Sequence, residues 1–253
     1  MTFKLYLDPG HGGKDRGASA YGLTEKQVTL LIADRIREII EREYTDVNVR
    51  MSRENDTEVS VEERVRAANL WGADFFLSLH VDAGDGTGFE DCIFTKAGNG
   101  VETYRSAIHR AVLRATGWAD RGKGKADFSE LMKSGMPAVM TKNGSIETRA
   151  DNTKLRSEMF IGEIARGHVN GLAAAFGLKK KKGTDQAGRF LVRVRARDLY
   201  YYGRPDWSAR NGLVHKGQVF AVVRTLTVNQ SKMYALNNGN YLTANENYVE
   251  KIL

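Results

Sequence analysis

The chain has 253 residues, of which 42% are hydrophobic and 27% are charged, a balance typical of a globular protein with one or two domains. Its single cysteine, Cys92, excludes an internal disulfide framework and a cysteine-rich metal site. The formal net charge of +7 favours a polyanionic partner, and both nucleic acid and an anionic cell wall fit that description.

No stretch approaches the ~18 to 20 apolar residues that a membrane span requires, so we expect no membrane partner. The chain begins almost at once with a predicted strand. It shows no basic segment followed by an apolar run, so we expect a protein made without a signal peptide.

The region 1–178 alternates predicted strands with amphipathic helices. Strands are predicted at 3–7, 46–51, 75–80 and 137–141. Helices are predicted at 25–44, 61–71, 101–116 and 156–176. Thr24 is a candidate N-cap for the first helix, whose apolar residues recur at helical spacing. They are Val28, Leu31, Ile32, Ile36, Ile39 and Ile40. This alternation predicts an α/β domain with a twisted, mostly parallel sheet flanked by helices.

Composition changes at residues 177–184, which contain four consecutive lysines. Because such a run cannot pack in a core, we predict a solvated linker over 179–187. Beyond it, in 188–253, helical periodicity disappears. Short strands are predicted at 190–194, 219–223, 233–236 and 248–252, separated by turn residues. This pattern predicts a second domain, a small all-β barrel.

A histidine flanked by glycines closes the first predicted strand. Gly10, Gly12 and Gly13 allow backbone conformations closed to other residues, so His11 can stand clear of its neighbours. The alternative, without a functional role for His11, is an ordinary glycine-rich turn that contains a histidine. His80 closes another apolar strand, and the carboxyl ends of parallel strands converge on one edge of a sheet.

Glu25 opens the first helix, next to the loop that carries His11. Two imidazoles and one carboxylate form a common catalytic zinc set with an open fourth position. Spacing alone leaves Glu25 equally explained as a first-turn residue favoured by the helix dipole. His109 and His168 lie in helical patterns, where surface or packing roles are expected, and His215 lies in a turn.

Several segments in order carry a family resemblance. They are 7–13, the helix start at Glu25, Ser52-Arg53 with Asp56, Glu63-Arg64 with Ala68-Asn69, and 76–83. Over residues 3–176 the chain resembles the zinc-dependent N-acetylmuramoyl-L-alanine amidases of the type 3 family. The resemblance implies a sheet of about six strands and Zn²⁺ held by His11, Glu25 and His80. It also implies hydrolysis of the amide between N-acetylmuramic acid and L-alanine in peptidoglycan.

The sequence departs from the family at the catalytic glutamate, whose position is occupied by Lys142. A protonated lysine cannot act as a general base. We favour an activity-impaired variant, natural or introduced. In a second interpretation Glu147 reaches the site, and in a third the zinc chemistry proceeds slowly without a protein base. Ser145 also replaces the usual phenylalanine of this turn.

From Arg189 to Ile252 the chain resembles a bacterial Src-homology-3-like wall-binding domain. The matching segments are 192–196, 199–204, 216–220 and 239–249. The resemblance implies docking to peptidoglycan, with flat contact surfaces from tyrosines and contacts to acidic wall groups from arginines. The candidate wall-binding residues are Tyr200, Tyr201, Tyr202 and Arg204, with at least one of the tyrosines packing the barrel.

These expectations combine into a modular, phage-endolysin-type amidase that acts on Gram-positive peptidoglycan. It would be made in the host cytoplasm and act at the cell wall after release. The alternative is a non-catalytic wall-binding protein that retains the amidase fold. A nucleic-acid partner rests on charge alone, since no aromatic-basic recognition motif is present, so none is expected.

Overall fold

The computed structural model describes residues 2–181 and 190–252. In the first range, strands alternate with helices as the sequence pattern predicts. The strands are β1 (Phe3–Pro9), β2 (Ser19–Ala20), β3 (Leu23–Thr24), β4 (Tyr44–Thr45), β5 (Val47–Met51), β6 (Phe75–Asp82), β7 (Phe89–Ile93), β8 (Asp120–Lys125), β9 (Ala138–Ser145) and β10 (Lys179–Lys180). The helices are α1 (Glu25–Glu43), α2 (Val61–Trp71), α3 (Asn99–Thr116), α4 (Ser129–Met132), α5 (Arg149–Leu155) and α6 (Glu158–Phe176).

Within residues 2–181, six strands form the main sheet in the order β5-β1-β6-β9-β7-β8. Every pairing is parallel except that of β7 with β9. The predicted α/β fold with a mostly parallel, six-stranded sheet is therefore confirmed. Because β1, β6 and β9 are parallel neighbours, their carboxyl ends share one edge of the sheet.

Helices cover both faces of this sheet. The larger core lies on the face covered by α1, α3 and α6 and includes Ile36, Leu77 and Ile164. The smaller core lies under α2 and α4 and includes Phe76 and Cys92. Burial on both faces explains why β6 is mostly apolar instead of alternating between apolar and polar residues.

The first helix begins where the sequence predicts, after the N-cap Thr24. The Gln27 side chain accepts a hydrogen bond from the Thr24 amide and so closes the first turn. The predicted apolar face is buried, apart from Leu31, which is 41% exposed. Helical spacing placed Leu31 on this face because it lies three residues after Val28.

Two lysines of the predicted linker form a short strand. Lys179 and Lys180 form β10, which pairs with Tyr44 and Thr45 of β4. The N-terminal region therefore continues through these two residues, although both are exposed, as expected of a solvated segment. Residues 182–189, which include most of the predicted linker, lie outside the described residues.

The chain from 190 to 252 is all-β, as predicted, and we call it the C-terminal β region. Within these residues, seven strands form one antiparallel sheet in the order β13-β12-β16-β15-β14-β11-β17. They are β11 (Phe190–Val194), β12 (Asp198–Tyr202), β13 (Arg210–His215), β14 (Val219–Val228), β15 (Ser231–Leu236), β16 (Tyr241–Thr243) and β17 (Val249–Lys251). Among all described residues, no helix is long and apolar enough to cross a membrane.

Candidate metal centre

The glycine-flanked histidine turn follows β1 directly. His11 itself has a positive φ of 61°, in the left-handed region that non-glycine residues rarely adopt. A Cβ at Gly10 would lie only 2.4 Å from Cε1 of His80, so a glycine lets the two histidines approach each other. Their ring centroids are 5.2 Å apart. The turn therefore presents His11 at the sheet edge, as the sequence indicates.

A buried ion pair holds this turn from beneath. The guanidinium of Arg64 lies 2.9 Å from Oδ1 of Asp8, and both side chains are almost fully buried. Arg64 also donates to the backbone oxygens of Pro9 and His11, each at 2.8 Å. Ser78 donates to the second Asp8 oxygen at 3.0 Å. Arg64 therefore connects α2 to the backbone of the candidate ligand.

Arg53 supports the same turn from the other side. Its guanidinium donates to the carbonyl oxygens of Pro9 and Gly10 at 3.0 and 2.9 Å. It also contacts the carbonyl of Lys26 and the hydroxyl of Thr29 on α1. Arg53 is 4% exposed, so a buried guanidinium satisfies several backbone acceptors at once.

Glu25 lies between His11 and His80. One carboxylate oxygen is 3.0 Å from Nε2 of His11, and the other is 2.9 Å from Nδ1 of His80. The backbone amides of Ala18 and Val81 each donate to this carboxylate at 3.0 Å. Glu25 is 4% exposed, so its place at the start of α1 serves these contacts as well as the helix dipole.

Glu25 and His11 shift each other's pKa in opposite directions. Burial by itself raises the pKa of Glu25, but hydrogen bonds from His11 and His80 outweigh it and hold that pKa well below its usual range. Hydrogen bonding to Glu25 raises the pKa of His11 to about 9, against burial, which lowers it. Asp15 adds to this by binding Nδ1 of His11 at 2.8 Å.

The three side chains fit a metal ion. One ligand atom from each of His11, Glu25 and His80 lies within 4.8 Å of the others. Nε2 of His80 is buried and has no hydrogen-bond partner among the described residues. Asp15 fixes the His11 ring through Nδ1, as outer carboxylates do for metal-bound imidazoles. Two imidazoles and a carboxylate suit Zn²⁺ and leave one coordination position open.

An open groove of about 500 Å³ passes this cluster. Its lining includes His11 and His80 together with Glu58, Glu63 and Glu130. The groove gives a polar substrate access to the two candidate histidine ligands.

Lys142 lies beside the cluster on β9, in register with His80 of β6. Its ammonium nitrogen is 3.6 Å from Oδ1 of Asp82 and 3.7 Å from Oε1 of Glu90. Arg121 contacts the same two carboxylates at 2.8 and 3.3 Å. Lys142 is thus one cation of a four-membered ion-pair network.

Glu147, the alternative base, is exposed and lies in the turn after β9. Its carboxylate accepts a hydrogen bond of 2.6 Å from the amide of Gly84. None of its hydrogen bonds joins it to His11, Glu25 or His80. Ser145 is fully buried and bonds the carbonyl of Gly84, so both side chains stabilise the turn after β6.

The other histidines lie apart from this cluster. His109 is buried and bonds Asp91 and Asp120 at 2.7 and 2.9 Å. His168 is fully buried within α6. Both are packing residues, one of the two roles expected from the sequence. His215 is exposed in the C-terminal β region and bonds Asp198.

Two of the three candidate wall-binding tyrosines are buried and one is exposed, in keeping with the expectation that at least one packs the barrel. Tyr201 and Tyr202 are 4% and 9% exposed, so neither offers a flat surface to a wall ligand. A β-bulge between them breaks the alternation of the strand and turns both inward. Tyr200 is 43% exposed with the Arg210 guanidinium 4.4 Å above its ring, and the Arg204 side chain is 73% exposed.

Some residues of the centre received no role from the sequence. Asp15, four residues after His11, gave only that spacing as a signal. Arg53 and Arg64 belonged to the family resemblance, but their contacts with the His11 turn depend on tertiary packing. Glu90 and Arg121 lie on or near strands that the sequence did not predict, so their approach to position 142 was not foreseen.

Comparisons with known proteins support the resemblance. Residues 5–174 match the family of N-acetylmuramoyl-L-alanine amidases known as Amidase_3. The chain is 48% identical over 200 residues to the sporulation-specific N-acetylmuramoyl-L-alanine amidase of Bacillus subtilis, covering 78% of each chain. It is 35% identical to an endolysin of Bacillus phage SPP1, over 98% of each chain. Among solved structures, an N-acetylmuramoyl-L-alanine amidase from Clostridium difficile 630 matches with a TM-score of 0.68 and 28% identity, covering 72% of this chain and 99% of that one.

Proposed function

Because this chain belongs to the N-acetylmuramoyl-L-alanine amidase family, we propose that it is a zinc hydrolase of peptidoglycan. The bond cleaved is the amide between N-acetylmuramic acid and the L-alanine of the stem peptide. The observation that carries the zinc assignment is the convergence of His11, Glu25 and His80 at one edge of the sheet.

Each residue of the centre has a separate part in this proposal. When bound, Zn²⁺ supplies Lewis acidity that polarises the scissile carbonyl and acidifies a water molecule. His11, Glu25 and His80 hold the ion, and Asp15 fixes the ring of His11. The groove beside them receives the stem peptide and the sugar.

Lys142 limits the rate in this proposal. The resemblance places the general base, a carboxylate, at this position, where this chain has a lysine that is ion-paired with Asp82 and Glu90. General acid–base catalysis contributes about 10²- to 10⁴-fold, so this chain retains a slow, metal-dependent hydrolysis. Glu147 does not replace the missing carboxylate, since its carboxylate is held at the amide of Gly84.

The C-terminal β region, in our proposal, holds the enzyme on Gram-positive peptidoglycan. The match to a phage endolysin over 98% of both chains supports this, because the similarity extends through the β region. Tyr200 and Arg204 remain exposed and available for a wall ligand. Tethering of this kind raises the local concentration of substrate at the centre.

The test combines zinc content with product chemistry. We expect about one Zn²⁺ per chain, as for other three-ligand catalytic sites, and affinity lower by roughly tenfold or more in His11→Ala, Glu25→Gln and His80→Ala. His215→Ala, which removes an exposed histidine elsewhere, is the matched control. Zinc binding that survives all three substitutions would overturn the assignment.

Hydrolysis is followed on purified Gram-positive walls. We expect new amino termini at L-alanine without new reducing sugar ends, lost with a chelator and restored by zinc. A second candidate is a wall-binding protein without turnover, which the ion pairing of Lys142 favours. Pelleting with walls while no amino termini appear over long incubation would select that candidate.

A further inference from the structure

The C-terminal β region packs directly against α1 and α6. A Cβ at Gly162 of α6 would lie 2.4 Å from the carbonyl oxygen of Asn238, so the two backbones are in close contact. Met159 of α6 contributes to the core of the β region. Arg35 of α1 donates to the carbonyl of Gly203 at 3.3 Å. The two regions therefore share a packed boundary.

A cleft of about 450 Å³ lies along this boundary, which we call the boundary cleft. One side is formed by α1, α3 and α6, and the other by β14, β15 and the turn after β15. Its charged lining consists of Arg42, Glu43, Arg114, Arg166, Lys180 and Arg224. Five cationic side chains thus face one carboxylate.

The ion pairs formed by Glu43 do not neutralise the arginines that line the cleft. Glu43 accepts both hydrogen bonds of a bidentate pair with Arg166, each 2.6 Å long, and also contacts Arg42. Within residues 2–181 and 190–252, neither Arg114 nor Arg224 forms an ion pair or a side-chain hydrogen bond. A cluster of this sign attracts anions more strongly in a concave site than on an open surface.

Arg166 is a cation of the cleft that is already engaged within the chain. Arg166 is 8% exposed, and its Nε has no hydrogen-bond partner in the part of the chain that the structure describes. Its two terminal nitrogens are held by Glu43, so within the described residues Arg114 and Arg224 are the guanidinium groups of the lining without an ion pair.

We propose that the boundary cleft binds a phosphodiester-linked polyol of the cell wall through its phosphate groups. A guanidinium group can form two parallel hydrogen bonds with phosphate oxygens, and Arg114 and Arg224 provide two such groups that no other side chain of the described residues engages. The lining offers no exposed ring on which a nucleic-acid base would stack, because its one aromatic residue, Tyr241, is 3% exposed.

This site goes beyond the amidase proposal, and binding there needs neither zinc nor turnover. The experiment measures the affinity of the whole chain for a purified wall polyol-phosphate polymer at fixed salt. In the double variant Arg114→Gln/Arg224→Gln we expect affinity lower by about 10- to 100-fold, since each lost charge-assisted contact is worth roughly a factor of ten. Both side chains lie at the surface or partly exposed, so the fold is retained, which an unchanged Tm verifies.

The double variant Arg110→Gln/Arg197→Gln is the matched control. It removes the same charge, Arg110 lies on the same helix as Arg114, and neither residue lines the cleft. We expect a change of less than about twofold, because only nonspecific attraction is lost. Equal weakening in both double variants, or no binding of the polymer, would overturn the proposal.

A single-stranded oligonucleotide with the same number of phosphates distinguishes the source of the phosphate. The proposal predicts that it binds more weakly than the polyol polymer and that the two double variants affect it equally. Tighter binding of the oligonucleotide that depends on Arg114 and Arg224 would assign the cleft to nucleic acid instead.

Discussion

Lys142 lies directly opposite His80 on neighbouring parallel strands, so its side chain projects from the same face of the sheet as a candidate zinc ligand. On its other side, Lys142 is in register with Glu90 of β7. Position 142 is therefore both next to the candidate metal centre and part of an ion-pair network.

Because our proposal places the general base at position 142, a glutamate there is expected to raise activity. In Lys142→Glu the rate of amide cleavage should increase by about 10²- to 10⁴-fold, the range for gain of a general acid–base group. The measurement is the release of amino termini from purified walls at saturating zinc.

Lys142→Gln is the control, because it removes the charge without supplying a base. It should leave the rate within a few-fold of the parent chain. If glutamine and glutamate accelerate cleavage equally, the cation itself was the obstacle and position 142 does not supply the base.

Arg64 should be important for stability as well as for the metal centre. Removing one partner of a buried ion pair costs about 3–5 kcal/mol, so Arg64→Met should lower the free energy of unfolding by that amount. Asp8 would then remain buried and charged without its partner. Chemical denaturation of the zinc-free chain measures this effect.

Arg66→Met on the same helix is the comparison, since Arg66 is exposed. Its cost should stay within about 0.5 kcal/mol, as for surface substitutions away from special contacts. If both variants unfold at the same denaturant concentration, the Arg64–Asp8 pair does not contribute to stability as argued here.

The tyrosines of β12 should separate wall binding from folding. Tyr200→Ala is expected to weaken pelleting with walls while leaving the denaturation midpoint unchanged, because Tyr200 is exposed. Tyr201→Ala should instead cost about 3–5 kcal/mol of stability, since it empties a buried aromatic site. Undiminished pelleting by folded Tyr200→Ala would remove Tyr200 from the wall-binding surface.

The sequence predicted that His11 and His80 would lie close together, because the signals for that placement were local. His11 and His80 each close an apolar strand, and parallel strands bring such ends together. The strands β7 and β8 were not predicted. β8 has the sequence DRGKGK, with no apolar alternation, and it lies at the edge of the sheet. Without these strands, the approach of Glu90 to Lys142 could not be foreseen.

Two further features of the structure could not be predicted from the sequence, for physical reasons. Tyr201 and Tyr202 are both buried because a bulge changes the register, and a regular alternating pattern contains no sign of that shift. The boundary cleft combines residues from α1, α3, α6 and the β region, so no single segment shows its charge. Long-range packing of this kind leaves no periodic signal in a sequence.

His168 should make the stability of the chain depend on pH. It is fully buried, with Nδ1 2.9 Å from the carbonyl oxygen of Ile164 and Nε2 3.2 Å from the hydroxyl of Thr141. Burial lowers the pKa of His168 from 6.5 to about 4. The unfolded chain therefore binds a proton at a higher pH than the folded chain does.

Because the pKa of His168 is lower in the folded chain than in the unfolded chain, acid destabilises the fold. The contribution of His168 is complete above about pH 6.5 and is lost as the pH falls toward 4, by an amount on the order of 3 kcal/mol. His109 acts in the opposite direction. Burial lowers its pKa, but hydrogen bonds to Asp91 and Asp120 outweigh burial and raise it. Its contribution is present at low pH and is lost as the pH rises.

The two effects are separated by comparing the parent chain with His168→Gln, whose amide retains a donor and an acceptor. Urea denaturation at pH 7.5, 6 and 5 gives the difference in unfolding free energy between the two chains. We expect this difference to shrink as the pH falls, because only the parent chain must keep a buried imidazole neutral. A difference that stays constant across this range would mean that the pKa of His168 is the same in the folded and unfolded chain, which would contradict the prediction.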